Sequence, residues 1–507
     1  MKTKYIWLVA AMVAFSSCSD DDDSSTMKEE QLPELTAGTA DFSNYVSLGA
    51  SFTAGYTDGA LFKASQEMSF PNILSQKFVN AGGSTTFTQP LTNDNFGGLA
   101  LNGDRIADPR LVFGGAGPVP LEVALQSSVT VSTDIILNNP TGPFSNMGVP
   151  GAKSFHLLAN GYGNISNLSA GAANPYFVRM TGSTPDASMI ELAAAQNPTF
   201  FTLSEIGGND VLGFAVSGGM GVDQTGNPNA ASYGSNDITD PGLFQVVLSG
   251  LVDALTANGA KGAVTNVPYI TSLPHFTTVP HNPLPMDEAT ATQVNNGYAQ
   301  YNGGLQAMVT AGLLDEEEAK ARTIEFVASA TNAVVIEDED LTDLTAFGLP
   351  SYRHATADDL LVLPASSFIG TKVNDDPTMV NGVSVPLKDK WVLVASELES
   401  IKTATDAYNA TIASVVSAKG LALVDLNAIL IQASESGVPF DEYTVNTDLV
   451  FGGLISLDGI HLTSRGYALM ANKFLEAIDA TYESNFVASK NLAKAANYPT
   501  NFSPALQ

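Results

Sequence analysis

Between Leu457 and Thr463 the chain places a carboxylate three residues ahead of an imidazole, just before a predicted helix. Asp458 and His461 at this spacing can share a hydrogen bond across a turn. Such a bond would fix the tautomer of the imidazole and stabilise the imidazolium that forms when it takes a proton. The pair therefore has the residue types of the general-base half of a hydrolytic triad. The start of a helix that contains a histidine without a catalytic role could have the same residues, so this segment alone leaves both interpretations open.

A candidate nucleophile lies near the beginning of the chain. Residues 45–50 predict a short strand that runs into Ser51, with small residues on both sides of the serine. A serine at a tight strand-to-helix junction exposes its hydroxyl. Its own backbone N–H can also point at the oxygen of a carbonyl under attack. Ser51 is therefore a candidate both as nucleophile and as a donor to the oxyanion.

Two further donors to the same oxyanion are predicted. The apolar run 200–206 ends in two glycines followed by Asn209, whose side-chain amide can donate, and by Asp210, which we interpret as a structural acceptor near the site. Residues 146–154 predict a glycine-bearing turn with a backbone N–H as the third donor. Gly148 and Gly151 are the alternatives there, and Gly151 is preferred because the small residues after it fit the start of a helix.

These four segments occur in the order, and with the residue types, of the SGNH (GDSL-type) hydrolases, which the chain resembles over about residues 43 to 480. The resemblance implies a nucleophile at Ser51 and oxyanion donors at Ser51, Gly151 and Asn209. It also implies a general base, His461, that is oriented by Asp458. It also implies hydrolysis of an ester through an acyl-enzyme, without cofactor or metal.

One position departs from the family pattern. The family has Asp directly before the serine, in Gly-Asp-Ser, and here that position is Ala50. In the family this Asp is normally a structural hydrogen-bonding residue outside the triad. Its replacement therefore bears on the local turn geometry more than on the chemistry.

The segments between the motifs alternate strand and helix, which predicts a doubly wound α/β sheet. The predicted elements are an amphipathic helix over 243–255, a buried strand over 262–268, a helix over 395–418, a strand over 421–425 and a last helix over 464–482. The resemblance implies a three-layer α/β/α sandwich with a mostly parallel, flavodoxin-like central sheet. In such sheets the site lies outside the carboxyl ends of the strands, where the motif residues fall.

The hydrolase domain is predicted over 41–485, followed by a C-terminal tail over 486–507. Because the minimal family domain is shorter, loop and small β insertions are expected. One lies near 80–145, where Gly, Asn, Pro and Thr predict long loops over the site. The other lies near 337–392, where short Val-, Pro- and Gly-broken runs predict a small β-rich cap.

The amino-terminal segment resembles a bacterial lipoprotein signal. A basic start and an apolar stretch too short to span a bilayer precede Cys18, the only cysteine of the chain. Residues 1–17 are predicted to be the signal peptide and 18–40 a lipidated acidic tether that includes Asp20–Asp23. The acidic run resembles the surface-export signal of Bacteroidetes-like bacteria, so we expect an anchor in the outer membrane, with surface exposure left open. An ordinary secretory signal with a stray cysteine is the alternative.

The composition of the chain disfavours some classes of binding partner. With 52 acidic and 22 basic residues, the net charge is −30, which disfavours nucleic acid and anionic lipid surfaces as direct partners. His156 and His354 have no cysteine or carboxylate at metal-ligand spacing, so neither is predicted to bind a metal. His275 and His281 lie in a proline-rich stretch interpreted as a loop, with a place in the cleft wall left open. The sequence does not indicate the oligomeric state.

Two functions follow from these residues. The first is a serine ester hydrolase, either a lipase-like acylhydrolase or a carbohydrate deacetylase. The second is a catalytically idle surface lipoprotein that binds glycan or lipid on a hydrolase fold, an alternative that Ala50 favours. Retention of a nucleophile, a base and an oxyanion donor together favours the enzyme, because an idle site has no physical need for all three.

Overall fold

The computed structural model describes residues 32–507. Its centre is a sheet of five parallel strands, which in chain order are β1 (Tyr45–Gly49), β2 (Asn146–Gly148), β3 (Phe200–Ser204), β4 (Lys261–Thr265) and β5 (Ala422–Val424). Their spatial order is β2-β1-β3-β4-β5. Every residue of β1 and β3 is buried, as expected for parallel strands covered on both faces. The predicted α/β fold with a parallel sheet is confirmed.

Seven helices frame the sheet and the site: α1 (Phe70–Asn80), α2 (Met189–Ala194), α3 (Asn209–Val216), α4 (Pro241–Thr256), α5 (Ala395–Lys419), α6 (Leu426–Glu435) and α7 (Ser464–Tyr482). Helix α7 packs against α1, β4 and β5, whereas α4 packs against α2 and α5. Capping residues define where three of these helices begin or end. Asp240 and Thr463 cap the N-termini of α4 and α7, and Gly420 ends α5 in the left-handed region at φ +62°. These three helices match the predicted ones closely.

The strand order creates a crevice at the carboxyl ends of the strands. From β1 the chain crosses to β2 on one side and then to β3 on the other, so β1 and β3 flank the point where the order reverses. In doubly wound sheets, ligands bind outside the carboxyl ends of the strands at this point. Ser51 follows β1 and Asn209 follows β3, which places both residues at the crevice.

One local prediction was wrong. Residues 146–148 were expected in a glycine-bearing turn, but they form the edge strand β2, with Ser47 opposite Asn146 and Gly49 opposite Gly148. The turn begins only at Val149. The three residues are too few to show a strand periodicity, and their pairing depends on a partner about a hundred positions away in the chain.

The residues between α1 and β2 contain more regular structure than predicted. Two antiparallel hairpins lie there, Leu99–Leu101 with Asp104–Ala107 and Leu111–Phe113 with Pro118–Pro120, followed by a short helix, Leu121–Leu125. Arg110, fully buried beside the second hairpin, donates to the carbonyl oxygens of Asn95 and Ser503. It thereby ties this segment to the end of the chain.

Three further antiparallel strand pairs lie between β4 and α5: Leu284–Met286 with Ser329–Asn332, Val335–Glu337 with Tyr352–His354, and Leu360–Leu361 with Val392–Leu393. Arg353 joins two of these segments, since its guanidinium contacts Asp338 at 2.5 Å and Asp359 at 2.6 Å. A last hairpin pairs Val438–Phe440 with Tyr443–Val445.

The remaining helices are Ser51–Ala54, Lys63–Glu67, Pro175–Thr181, Pro274–Thr277, Glu288–Thr310, Glu316–Arg322 and Ala365–Phe368. No helix within residues 32–507 combines the length and the apolar character needed to cross a membrane. The predicted signal peptide, Cys18 and the acidic run lie outside the described residues. At the other end, Phe486 is fully buried, so the chain after α7 packs onto the domain.

Candidate active site

The serine turn follows β1 without a linker. Ser51 begins the one-turn helix Ser51–Ala54, and Gly55 ends it at φ +84°. A Cβ on Gly49 would lie 2.2 Å from Thr53 Oγ1 and 2.7 Å from the carbonyl oxygen of Ser204, so only glycine fits this junction. The tight turn holds Ser51 at the crevice with 7% of its surface exposed.

A buried carboxylate holds the backbone of this turn. Glu205 accepts hydrogen bonds from the N–H groups of Ala50 at 2.6 Å, Phe52 at 2.9 Å and Thr53 at 3.0 Å. The fourth N–H of the turn, that of Ser51, has no partner among residues 32–507. Glu205 therefore leaves only the serine N–H available to a substrate oxygen.

Glu205 has an unusual environment. Its backbone lies in the left-handed region at φ +54°, directly after β3, and its residue is 9% exposed. Burial raises the pKa of the Glu205 carboxyl to about 8, and the three N–H donors oppose that rise. Sequence reasoning passed over this residue. A carboxylate directly after an apolar strand was the available signal.

Asn209 lies across the crevice from the serine turn, at the start of α3. Its side-chain Nδ2 donates to the carbonyl oxygen of Ala152 at 2.9 Å, which occupies one of its two N–H groups. Gly151, the neighbour of Ala152, adopts φ +78°, and its N–H has no partner within residues 32–507. The Asn209–Ala152 bond thus holds the amide beside the Gly151 turn. Gly148, the alternative, lies within β2, where a Cβ would be 2.2 Å from the Ala54 nitrogen.

Asp210 has the structural contacts expected of it. The carboxylate is fully buried and accepts hydrogen bonds from the Ser154 nitrogen at 2.9 Å and from Ser154 Oγ at 2.6 Å. It therefore connects the start of α3 to the segment that follows the Gly151 turn. Since both segments carry a predicted oxyanion donor, Asp210 fixes their separation.

Asp458 and His461 share the predicted hydrogen bond. Asp458 Oδ2 lies 2.9 Å from His461 Nδ1, and Asp458 Oδ1 accepts the backbone N–H of His461 at 2.8 Å. The ring of His461 lies 5.9 Å from that of Phe52 and 4.6 Å from that of Tyr56, measured between ring centroids. The imidazole is therefore packed against one residue of the serine turn, Phe52, and one residue just after it, Tyr56.

Further donors surround the Asp458 carboxylate. Oδ2 also accepts the Gly59 N–H at 2.8 Å, while Oδ1 accepts Ser456 Oγ at 3.1 Å and the Ile460 N–H at 2.9 Å. Burial alone would raise the pKa of Asp458, but the facing His461 and these N–H groups outweigh it. They hold the pKa well below its usual range. Asp458 is thus ionised at neutral pH and can stabilise an imidazolium.

These groups open onto one cleft. Ser51, Asn209 and His461 all line it. Beyond those three residues its walls are mainly aliphatic. The arrangement combines a serine, a base oriented by a carboxylate and free N–H donors, which are the parts needed for acyl transfer.

The other histidines have structural contacts. His156 Nδ1 accepts the Lys153 N–H at 3.0 Å, and both ring nitrogens of His354 lie 3.1 Å from backbone carbonyl oxygens. His275 was interpreted as a loop residue, but it lies in the short helix Pro274–Thr277, which begins at a proline, as helices favour. There its backbone N–H donates to the carbonyl oxygen of Gly459, beside the Asp458 turn.

One carboxylate cluster has the spacing of cation ligands. Glu339, Asp389 and Glu397 bring one oxygen each to within 4.8 Å of one another. None of the three lines the active-site cleft. Burial and the neighbouring carboxylates raise the pKa of Asp389 to about 6 and that of Glu397 to about 8, so mutual repulsion is relieved by protonation.

A family model described as GDSL-like lipase/acylhydrolase matches residues 45–474, which is most of the chain. The matched range contains Ser51, Gly151, Asn209, Asp458 and His461. Comparison with curated proteins gave no match, and neither did comparison with solved structures.

Proposed function

Since this chain belongs to the GDSL-like lipase/acylhydrolase family, we propose that it hydrolyses carboxylic esters with Ser51 as nucleophile. The observation that carries the proposal is the bond of 2.9 Å between Asp458 and His461 on a cleft that Ser51 and Asn209 also line. Family membership supports action on esters. The roles of the individual residues rest on their geometry.

The proposed reaction has two steps. His461 takes the hydroxyl proton of Ser51 as Ser51 Oγ attacks the acyl carbon, and the imidazolium then protonates the departing alcohol. His461 then deprotonates a water molecule that attacks the resulting acyl-serine, and the imidazolium returns the proton to Ser51 Oγ as the acyl–oxygen bond breaks and the acid is released. The negative charge on the carbonyl oxygen is stabilised by the N–H groups of Ser51 and Gly151 and by the second N–H of the Asn209 amide.

The second candidate function is an idle glycan- or lipid-binding protein on the same fold. Ala50 favours it, because the family pattern has a hydrogen-bonding Asp there. Against it, Glu205 holds the N–H groups on either side of Ser51, so the turn keeps a defined shape without that Asp. A serine that only binds ligand would gain nothing from a hydrogen-bonded Asp–His pair beside it.

Covalent labelling with a fluorophosphonate separates these functions. The reagent phosphonylates a serine that a neighbouring base activates, with loss of fluoride, so we expect a single adduct on the peptide that contains Ser51. The measurement is peptide mass spectrometry of the labelled full-length chain, with Ser51→Ala as the unlabelled control. An unlabelled wild-type protein would favour the binding protein.

For its location, we propose a lipid anchor on Cys18 in the outer membrane. The support is the sequence alone, since Cys18 lies outside the described residues. Cys18→Ser removes the thiol that would carry the lipid, so we expect most of the protein to move from the membrane fraction to the soluble fraction. Fractionation with immunoblotting measures this, with labelling by a radioactive fatty acid as a second readout. Retention of the variant in the membrane fraction would contradict the anchor.

A further inference from the structure

The cleft beside Ser51 extends well past the reacting groups. Among its lining residues, Gly466, Met470 and Lys473 lie along one face of α7. Seven residues of helix advance about 10 Å. Because α7 begins three residues after His461, the cleft runs from the imidazole along the helix for about that distance.

The walls of this extension are aliphatic. Ile270 and Leu273 line one side, Leu426 and Leu430 of α6 another, and Met470 of α7 a third. Leu430 and Met470 are only 6% and 3% exposed. Such a surface offers no hydrogen bonds to a sugar ring, whereas burial of methylene groups against it makes the free energy of binding more favourable.

Besides His461, two titratable residues line the cleft, Glu205 and Lys473, and neither presents a free charge to it. The oxygens of Glu205 are occupied by backbone N–H groups of the serine turn. Lys473, at the far end, directs its ammonium to the carboxylate of Glu476 at 2.8 Å, so its methylene stem covers the wall. The extension is therefore apolar along its length.

We propose that this extension binds the acyl chain of the substrate, so that the enzyme prefers medium-length fatty acyl esters over acetyl esters. The inference rests on the proposed function, because the acyl carbon must lie at Ser51 for the chain to enter the cleft. It selects lipid-like acylhydrolysis over deacetylation of carbohydrate, since an acetyl group would leave nearly all of the extension unfilled.

Chain-length dependence tests this preference. Each methylene that is buried contributes about fourfold to binding. With one leaving group, we therefore expect kcat/KM for p-nitrophenyl octanoate to exceed that for the acetate by at least about a hundredfold. Measurement uses the full-length chain with both esters below their micellar concentrations. Equal or faster turnover of the acetate, with Ser51 labelled by fluorophosphonate, would overturn the inference while leaving the proposed function intact.

A matched pair of variants locates the chain in the cleft. Leu430→Trp fills the extension and should lower the octanoate-to-acetate ratio of kcat/KM at least about tenfold. Ile431→Trp adds the same bulk one residue along α6, at a side chain that does not line the cleft and is 37% exposed, and should keep the ratio. Met470→Trp serves in place of Leu430→Trp if that variant fails to fold. An unchanged ratio in both cleft variants would overturn the inference, and loss of turnover and labelling in the wild type would overturn the proposed function with it.

Discussion

Replacing Asp458 with Asn should lower kcat by on the order of 10⁴-fold while the protein stays folded. The carboxylate accepts His461 Nδ1–H at 2.9 Å and the Gly59 N–H at 2.8 Å through the same oxygen. An asparagine must place an NH₂ group toward one set of these donors. If the NH₂ group faces His461, Nδ1 becomes the acceptor of that hydrogen bond and the ring proton moves to Nε2. Nε2 can then no longer accept the proton of Ser51.

The charge of Asp458 contributes a second loss. His461 gains a positive charge when it takes the serine proton, and the neutral amide no longer stabilises that charge. The expected signature is a large fall in kcat with little change in KM, because the cleft that binds the substrate is untouched. Steady-state hydrolysis of p-nitrophenyl octanoate measures both constants.

Asp479 offers a matched control for this substitution. Its carboxylate also accepts loop N–H groups, those of Phe486 at 2.9 Å and Val487 at 2.8 Å, but at the far end of α7. Asp479→Asn removes a similar set of bonds and should leave kcat within about twofold, since it lies outside the cleft. Equal losses in the two variants, or a normal kcat in Asp458→Asn, would remove Asp458 from the mechanism.

The parts of the site that sequence reasoning located share one property: each follows an element with a clear local pattern. Ser51 and Asn209 follow buried strands, and the Asp458–His461 pair precedes an amphipathic helix. Since carboxyl ends of parallel strands meet at one edge, residues hundreds of positions apart could be expected in one crevice. The roles of these residues remain predictions that the kinetic experiments test.

What sequence reasoning missed depends on long-range pairing. Strand β2 has three residues, and its partner β1 lies about a hundred positions earlier. The hairpins at residues 99–107 and 111–120 replace part of the predicted loops because short strands amid glycines carry a weak signal. Glu205 could be located after its strand, but the direction of its side chain depends on a left-handed backbone at φ +54°.

Glu205 also bears on the Ala50 departure. A family Asp before the serine would supply a carboxylate from within the turn, whereas Glu205 supplies one from the end of β3. Because Ala50 is fully buried and its N–H already bonds to Glu205, little room remains at that position for a second carboxylate. The turn therefore obtains its hydrogen-bond acceptor from the neighbouring strand.

Removing that acceptor should damage stability and rate together. Glu205→Ala leaves three N–H groups without a partner, and we expect a loss on the order of 3 kcal/mol in the free energy of unfolding. Displacement of Ser51 should lower kcat by about tenfold to a hundredfold, with KM little changed. Glu205→Gln retains one oxygen acceptor and should recover part of both losses. Denaturant unfolding and steady-state kinetics measure them.

The pH dependence separates Glu205 from an ordinary capping carboxylate. Burial raises its pKa from 4.5 to about 8 in the folded protein, so its contribution to stability is present below pH 4.5 and declines as the pH rises through about 8. The stability difference between wild type and Glu205→Gln should therefore be larger near pH 5 than near pH 9. Glu191→Ala is the control, since that carboxylate accepts a helix N-cap N–H at 2.8 Å but lies away from the cleft. A Glu205→Ala variant with wild-type kcat would show that the serine turn holds its shape without the carboxylate.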